Sequence, residues 1–306
     1  MTTATLPNTR DRLELTAGKY GLAFLTRATA TAAGLRLRVI DGVSSWYRPG
    51  DGSGPPLVAM HGFGGDKETW LLWAPFLARR RGLLLLDLPG HGASRDARES
   101  EFGARAQAEV VLAMMDAHGI ERAVACGNSM GGGIAQRLAR TWPERVAALL
   151  LIAPVAFHLA ESELMRELKR GNNFLMPGRE ADRDAFLRRM VEKPPRVPRA
   201  VQRYVAARRA RSQPQLERVW RGWVAAIGDA GVPSDPEAIA QPTLIVHGDR
   251  DKVVDVETGR GLAGRMPHAR LEVLAGIGHV PQLEEPRRVA RLTEAFLRGA
   301  VDVRVR

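Results

Sequence analysis

A serine, a histidine and an aspartate together can perform nucleophilic catalysis, and this chain carries candidates for all of them in loops that follow short apolar runs. Ser129 is the centre of Gly127-Asn128-Ser129-Met130-Gly131, a G-x-S-x-G pattern between the strand-like run Ala123-Val124-Ala125-Cys126 and the helical pattern IAQRLAR. A nucleophile on so sharp a turn adopts a strained backbone, and side chains two residues to either side would collide; Gly127 and Gly131 remove that collision. The same turn sets Ser129 at a helix N-terminus, where the Met130 N–H and the helix dipole favour a developing negative charge. Serine alone is a weak nucleophile, so a base and a group to orient it must follow. HGDRDKVVD offers Asp249, Asp251 and Asp255, and GIGHVPQLEEP offers His279. An imidazole there takes the serine proton and returns it to the leaving group, while a carboxylate fixes its tautomer. A second oxyanion donor is expected from His61-Gly62-Phe63-Gly64-Gly65, whose glycines let the Phe63 N–H approach a substrate oxygen.

Elements that hold these loops are legible from the apolar pattern. PPLVAMHG, GLLLLDLPG, RAVACGNS, VAALLLIAP, PTLIVHG and ARLEVLAG have the length and continuity of strands buried on both faces. Amphipathic helical patterns lie between most of them, over Trp70 to Arg80, Ala106 to His118 and Ile134 to Ala139. An N-terminal helix and strand-like Leu35 to Ile40 come first, and Val289, Leu292 and Phe296 fall on one face of a closing helix. Strand, helix, strand in alternation predicts an α/β fold: a mostly parallel central sheet with helices on both faces. Between about Val155 and Pro236 no strand candidate occurs, only helical stretches broken by MPG, KPPRVP and SQP. We expect a core from residues 1–154 and 237–306 and a helical cap, residues 155–236, over the strand ends where open sheets bind ligands.

HGFGGDKETW, DLPGHGAS, GNSMGGG, HGDRDKVVD and GHVPQLEEP, in this order, resemble the α/β-hydrolase family, and especially its lipase and esterase branch. The resemblance covers about 55–153 and 241–298; the N-terminal segment and the cap carry no specific match. It implies Ser129 as nucleophile, His279 as base, Asp251 as acid, and the N–H groups of Phe63 and Met130 as oxyanion hole, with His61, Gly62, Gly64, Gly127 and Gly131 supporting the loops. Asp251 is preferred to Asp249 because the family pattern is G-x-x-D counted from Gly248. Relatives that take the acid after the preceding strand have a carboxylate there, and IAPVAF has none. The expected function is hydrolysis of carboxylic esters with apolar acyl or small alkyl or aryl groups, which also suits the apolar Phe174, Leu175 and Met176 of the cap. The alternative is a C–C bond hydrolase of the ring-cleavage type, whose members share GNSMGG but typically carry HGxGPG where this chain has HGFGGDK. A non-catalytic hydrolase-fold binding protein is the alternative from another class.

Composition narrows the remaining classes. The net charge of +11 is carried mainly by scattered arginines, with no basic run interleaved with aromatics, so no nucleic-acid partner is expected. RYVAARRAR reads as a solvated helix face, with a face for acidic substrates or for weak peripheral contact to an anionic lipid surface as its other reading. Asp87-Leu88-Pro89-Gly90-His91 resembles a GTPase element, but no G-x-x-x-x-G-K-[ST] accompanies it. The lone Cys126 leaves no disulfide framework or cysteine metal cluster, and the chemistry needs no metal or organic cofactor. No apolar signal segment opens the chain, so a cytoplasmic location is the expectation. His61 and His247 are expected to support loops, His91 to serve structure near the site mouth, and His118 and His268 to lie on the surface. Trp220 and Trp223 read as cap core. The substrate is expected to be a small ester or lipid-like molecule; nothing in the pattern fixes an oligomeric state.

Overall fold

A computed structural model describes residues 9–52, 54–77, 81–94, 101–158, 160–176, 183–226 and 231–300. Helix α1 (Thr9–Ala32) leads into the hairpin β1 (Arg36–Ile40) and β2 (Val43–Arg48). Then come β3 (Leu57–Met60), β4 (Leu83–Leu86), α2 (Ala104–Ala117), β5 (Ala123–Asn128), α3 (Met130–Thr141) and β6 (Val146–Ile152). The helices α4 (Glu163–Lys169), α5 (Arg183–Met190), α6 (Arg199–Arg211) and α7 (Gln213–Ala225) separate β6 from β7 (Thr243–Gly248). The chain closes with α8 (Val256–Arg265), β8 (Ala269–Leu274), the short α9 (Pro281–Glu284) and α10 (Pro286–Ala300). The eight strands form one sheet in the order β1-β2-β4-β3-β5-β6-β7-β8, antiparallel through β4 and parallel from β4 to β8.

Strand periodicity divides the apolar runs between two cores. Leu57 and Ala59 of β3 and Leu83 and Leu85 of β4 face one layer, with Trp70, Trp73 and the closing helix residues Val289 and Leu297. Val58, Met60, Leu84 and Leu86 face the other, against Val111 and Met115 of α2 and Ile134 and Leu138 of α3. Each fully buried leucine contributes roughly 1.5–3 kcal/mol. Burial on both faces does not extend to the sheet edges: β1 is largely exposed and β8 mostly half-buried, because each has a neighbour on one side only.

The sequence reading differs from the fold in several places. Strand β2 was not anticipated, since Ser44-Ser45-Trp46 breaks the apolar run; its signal was Asp41-Gly42, a tight hairpin turn with φ of 47° and 77°. The helical pattern from Trp70 to Arg80 is instead two short 3-10 turns, Lys67–Trp70 and Ala74–Phe76, as far as residue 77; residues 78–80 lie outside the described ones. Pro75 offers no backbone N–H to extend a helix through this stretch. Helix α1 packs along α6, where a Cβ on Gly18 would lie 2.1 Å from the Ala200 carbonyl oxygen. Arg203 of α6 pairs there with Asp11, at 2.9 Å, and with Glu14.

Candidate active site

The turn after β5 has the conformation its glycines require. Ser129 sits at φ 55°, ψ −117°, a conformation costing about 1–3 kcal/mol for a side-chain-bearing residue. Its neighbours hold it there: Ser129 N–H donates to Ile152 O, and its carbonyl accepts from Gly132, Gly133 and Val155. A Cβ on Gly127 would lie 2.1 Å from Gly131 O, and one on Gly131 would lie 2.2 Å from Met60 O. The loop after β3 approaches from the other side, where a Cβ on Gly62 would stand 3.1 Å from Ser129 Cβ. Among the described residues, no backbone carbonyl outside regular helix and strand pairing accepts from the Phe63 or Met130 N–H.

Asp251 and His279 meet at the ends of β7 and β8, with His279 Nδ1 2.7 Å from Asp251 Oδ2. The carboxylate is fully buried and its other oxygen accepts from Val253 and Val254 N–H at 2.8 and 3.0 Å. His247 Nε2 lies 3.3 Å from Oδ2 and 2.9 Å from Val254 O. Burial alone would raise the Asp251 pKa; electrostatic interaction with the His279 imidazole and hydrogen bonds from His247 and His279 overcome it and hold the carboxyl well below the usual range. Asp249 and Asp255 have other partners: Asp249 Oδ1 accepts from Gly276 N–H at 2.7 Å, and Asp255 caps α8 through Glu257 N–H. Ser129 and His279 border one cavity of about 280 Å³, although their side chains do not make a direct hydrogen bond among the described contacts.

Several site residues carry no motif role in the sequence reading. Asn128, a variable position of the elbow, donates from Nδ2 to Ile152 O at 3.0 Å and to His279 O at 3.1 Å, tying the Ser129 turn to the histidine loop. Glu284, within LEEP, accepts from the N–H groups of Gly278, Glu192 and Lys193, at 3.0, 2.8 and 2.9 Å. It therefore stitches the His279 loop to the segment after α5, and His279 N–H adds a bond to Met190 O. His61 donates from Nδ1 to Gly62 O and accepts Leu88 N–H at Nε2; burial lowers its pKa and keeps it neutral, as a loop support. Lys67 and Asp87 form a buried ion pair at 2.6 Å under the same loop.

The stretch RYVAARRAR is not a solvated face. Arg208 reaches Asp66 of the loop after β3 at 2.5 Å, and Arg209 donates to Gly64 O and Leu175 O at 2.8 and 2.6 Å. Burial lowers the Arg209 pKa to about 10 without discharging it at neutral pH. Burial and Asp66 push the neighbouring Glu68 up to about 8. His118, expected on the surface, is half-buried, with Nδ1 2.8 Å from Met114 O and its ring against Tyr47; His268 is exposed. Trp220 packs edge-on against Phe63 at 5.5 Å, and Trp223 packs on the α2–α3 side of the sheet. Among the described residues no cluster of His, Cys, Asp and Glu could hold a metal, and no helix is long and apolar enough to cross a membrane.

Comparison with known proteins agrees with this architecture. Residues 55–286 match the α/β-hydrolase fold family model, and the chain belongs to that family. It is 31% identical over 278 residues to a 2-hydroxymuconate semialdehyde hydrolase of Pseudomonas sp. (strain CF600), covering 88% of this chain and 93% of that protein. A Pseudomonas putida dihydrolipoyllysine-residue acetyltransferase component of an acetoin cleaving system is 32% identical over 259 residues, 83% of this chain; the match spans 66% of that relative, just under two thirds of its length. Among solved structures, a membrane phospholipase A, a bacterial virulence factor, superposes with a TM-score of 0.86 at 31% identity, covering 93% of this chain and 92% of that one. The chain is thus a member of a hydrolase superfamily that includes a semialdehyde hydrolase and a phospholipase A among its relatives.

Proposed function

We propose that this protein is a serine hydrolase of carboxylic esters with Ser129, His279 and Asp251 as its triad. The observation that carries the reading is the 2.7 Å Asp251–His279 hydrogen bond at the wall of the cavity that also holds the strained Ser129. In this mechanism His279 Nδ1–H donates to Asp251, which leaves Nε2 free to take the Ser129 proton as Oγ attacks the ester carbonyl. The N–H groups of Phe63 and Met130 receive the oxyanion. Collapse of the tetrahedral species breaks the ester C–O bond, and His279 returns its proton to the departing alcohol. Water then attacks the acyl-enzyme by the same route and releases the acid. Helices α4 to α7 act as a cap, residues 155–236, on a core of 1–154 and 237–306. Their Leu175, Leu187, Met190, Val205 and Leu216 give the cavity an apolar wall suited to an acyl chain.

C–C bond hydrolysis is the second reading, favoured by the 31% identity to the 2-hydroxymuconate semialdehyde hydrolase. One experiment separates the readings: hydrolysis of p-nitrophenyl esters from acetate to palmitate by wild type and Ser129→Ala, with fluorophosphonate labelling of each. Labelling at Ser129 with ester turnover that falls by ~10³-fold or more in the variant supports the esterase. Labelling without ester turnover transfers the site to C–C chemistry, and no labelling leaves a binding protein.

A further inference from the structure

The loop after β3 is held by two different parts of the molecule. The core holds its base: His61 Nε2 accepts Leu88 N–H at 3.1 Å, Gly62 O accepts Gly65 N–H at 3.0 Å, and the N–H and Nζ of Lys67 reach Asp87 at 2.8 and 2.6 Å. Its tip meets α6 and α7. The Phe63 ring packs edge-on against Trp220 at 5.5 Å as well as against His91 at 6.0 Å, Arg208 reaches the Asp66 carboxylate at 2.5 Å, and Arg209 donates to Gly64 O at 2.8 Å. Among the described residues, no backbone N–H outside regular helix and strand pairing donates to Gly64 O, so Arg209 supplies the bond to that carbonyl.

The Gly64–Gly65 peptide is thereby pinned at both ends, its oxygen by Arg209 and its N–H by Gly62 O. Two successive glycines impose almost no conformation of their own, and Gly64 sits at φ 68°, so bonds from outside decide where this peptide points. A Cβ on Gly64 would lie 2.7 Å from a terminal nitrogen of Arg209, so the guanidinium is seated directly against the bare glycine. The guanidinium is itself fixed: its other terminal nitrogen donates to Leu175 O at 2.6 Å, and its face lies over the Phe186 ring at 4.1 Å. Behind it, α6 is braced on α1 by Arg203 with Asp11 and Glu14. Phe63, the neighbour of Gly64, carries the N–H assigned above to the oxyanion. We propose that Arg209 is a positioning residue of the reaction: through Gly64 O it fixes the chain that follows Phe63 and so aims the Phe63 N–H at the oxyanion. The oxyanion site is then a joint product of the core and of α6. A planar fork suits this position, because it serves two carbonyls in fixed directions where an ammonium acts as a point charge. The inference deepens the esterase reading and rests on it.

The test uses the full chain and two ketones as inhibitors of p-nitrophenyl butyrate hydrolysis. Ser129 Oγ adds to the carbonyl carbon of hexyl trifluoromethyl ketone, the serine proton passes to His279, and the carbonyl oxygen becomes an oxyanion. Hexyl methyl ketone has the same chain and binds as the intact carbonyl. Arg209→Met is expected to lower kcat by about ten- to hundredfold with KM within about threefold, since a misaimed donor forfeits part of the about 10²–10³-fold that an oxyanion donor supplies. Its Ki for the trifluoromethyl ketone should rise by the same factor as kcat falls, while Ki for the methyl ketone stays within about threefold. Arg209→Lys keeps the stem and the charge, so it should recover part of kcat and of trifluoromethyl ketone affinity in parallel, and it carries the test if the methionine variant does not fold. Weakening of both ketones together with a raised KM would make Arg209 a part of the cavity wall and overturn the proposal. A fall in kcat that leaves the trifluoromethyl ketone unaffected overturns it as well, and so do unchanged kinetics in both variants. A wild type that neither turns over the ester nor labels at Ser129 rejects the esterase reading and this inference with it. An active, labelled wild type whose Arg209 variants keep kcat and both Ki values rejects this inference alone.

Discussion

Replacing Asp251 by asparagine is the most discriminating perturbation of the site, because it changes one atom and two neighbouring aspartates provide controls. In the wild type Oδ1 accepts from Val253 and Val254 N–H, and Oδ2 receives His279 Nδ1–H at 2.7 Å. An asparagine oxygen keeps the first pair of bonds, so the amide nitrogen must face His279. Its N–H donors can pair only with an unprotonated Nδ1, which moves the imidazole proton to Nε2 and removes the base that the proposed attack by Ser129 needs. Wrong-tautomer substitutions of this kind cost about 10⁴-fold in kcat, equivalent to about 5.5 kcal/mol of transition-state stabilisation. Folding should lose less, about 1–3 kcal/mol, since the shape is kept while Oδ2 is lost as acceptor for His279 and His247. Asp249→Asn removes only part of an exposed bond to Gly276 N–H and should leave turnover within about threefold. The assay is kcat/KM on p-nitrophenyl butyrate, with urea unfolding to separate loss of activity from loss of fold. An Asp251→Asn enzyme within tenfold of wild type, or a larger loss in Asp249→Asn, would refute the assignment of the acid.

Other perturbations test the scaffold. Gly131→Ala puts a methyl group 2.2 Å from the Met60 carbonyl on a central strand; we expect ~3 kcal/mol or more of destabilisation and loss of fluorophosphonate labelling, and a soluble, fully labelled variant would contradict the packing argument. Glu284→Ala removes the acceptor shared by the His279 loop and the segment after α5, so stability should fall by about 1.5–3 kcal/mol and kcat by about tenfold, read by unfolding and steady-state kinetics; unchanged kcat would mean that the loop is held without it. Glu68 retains its proton in the fold up to about pH 8 but releases it near 4.5 when unfolded. The folded state then binds the extra proton between these limits, so this group makes wild-type stability fall as pH rises from about 4.5 to 8, and Glu68→Gln should flatten that slope in urea unfolding at pH 5, 6.5 and 8. Equal slopes in both proteins would show that Glu68 is not the group responsible.

Local sequence determined much of the frame. The apolar runs predicted β3 to β7 because a strand buried on both faces needs little but continuous apolar residues, and the half-buried β8 was legible from an interrupted run. The elbow was legible because its glycines answer to contacts within a few residues and one adjacent strand, and the positive φ of Ser129 follows from that turn. Family resemblance, not spacing, singled out Asp251 among the three aspartates. Only the tertiary structure brought its carboxylate to His279 across 28 positions and assigned Asp249 to a loop bond and Asp255 to a helix cap. Tertiary packing also decided where the arginines of α6 go. Their pattern along the helix is that of a charged face, yet α1 and the loop after β3 lie against that helix and turn Arg203, Arg208 and Arg209 into partners of other elements. Asn128 and Glu284 were unreadable for the same reason: a polar side chain acts through backbone groups brought to it by distant chain, and no periodicity records which ones arrive.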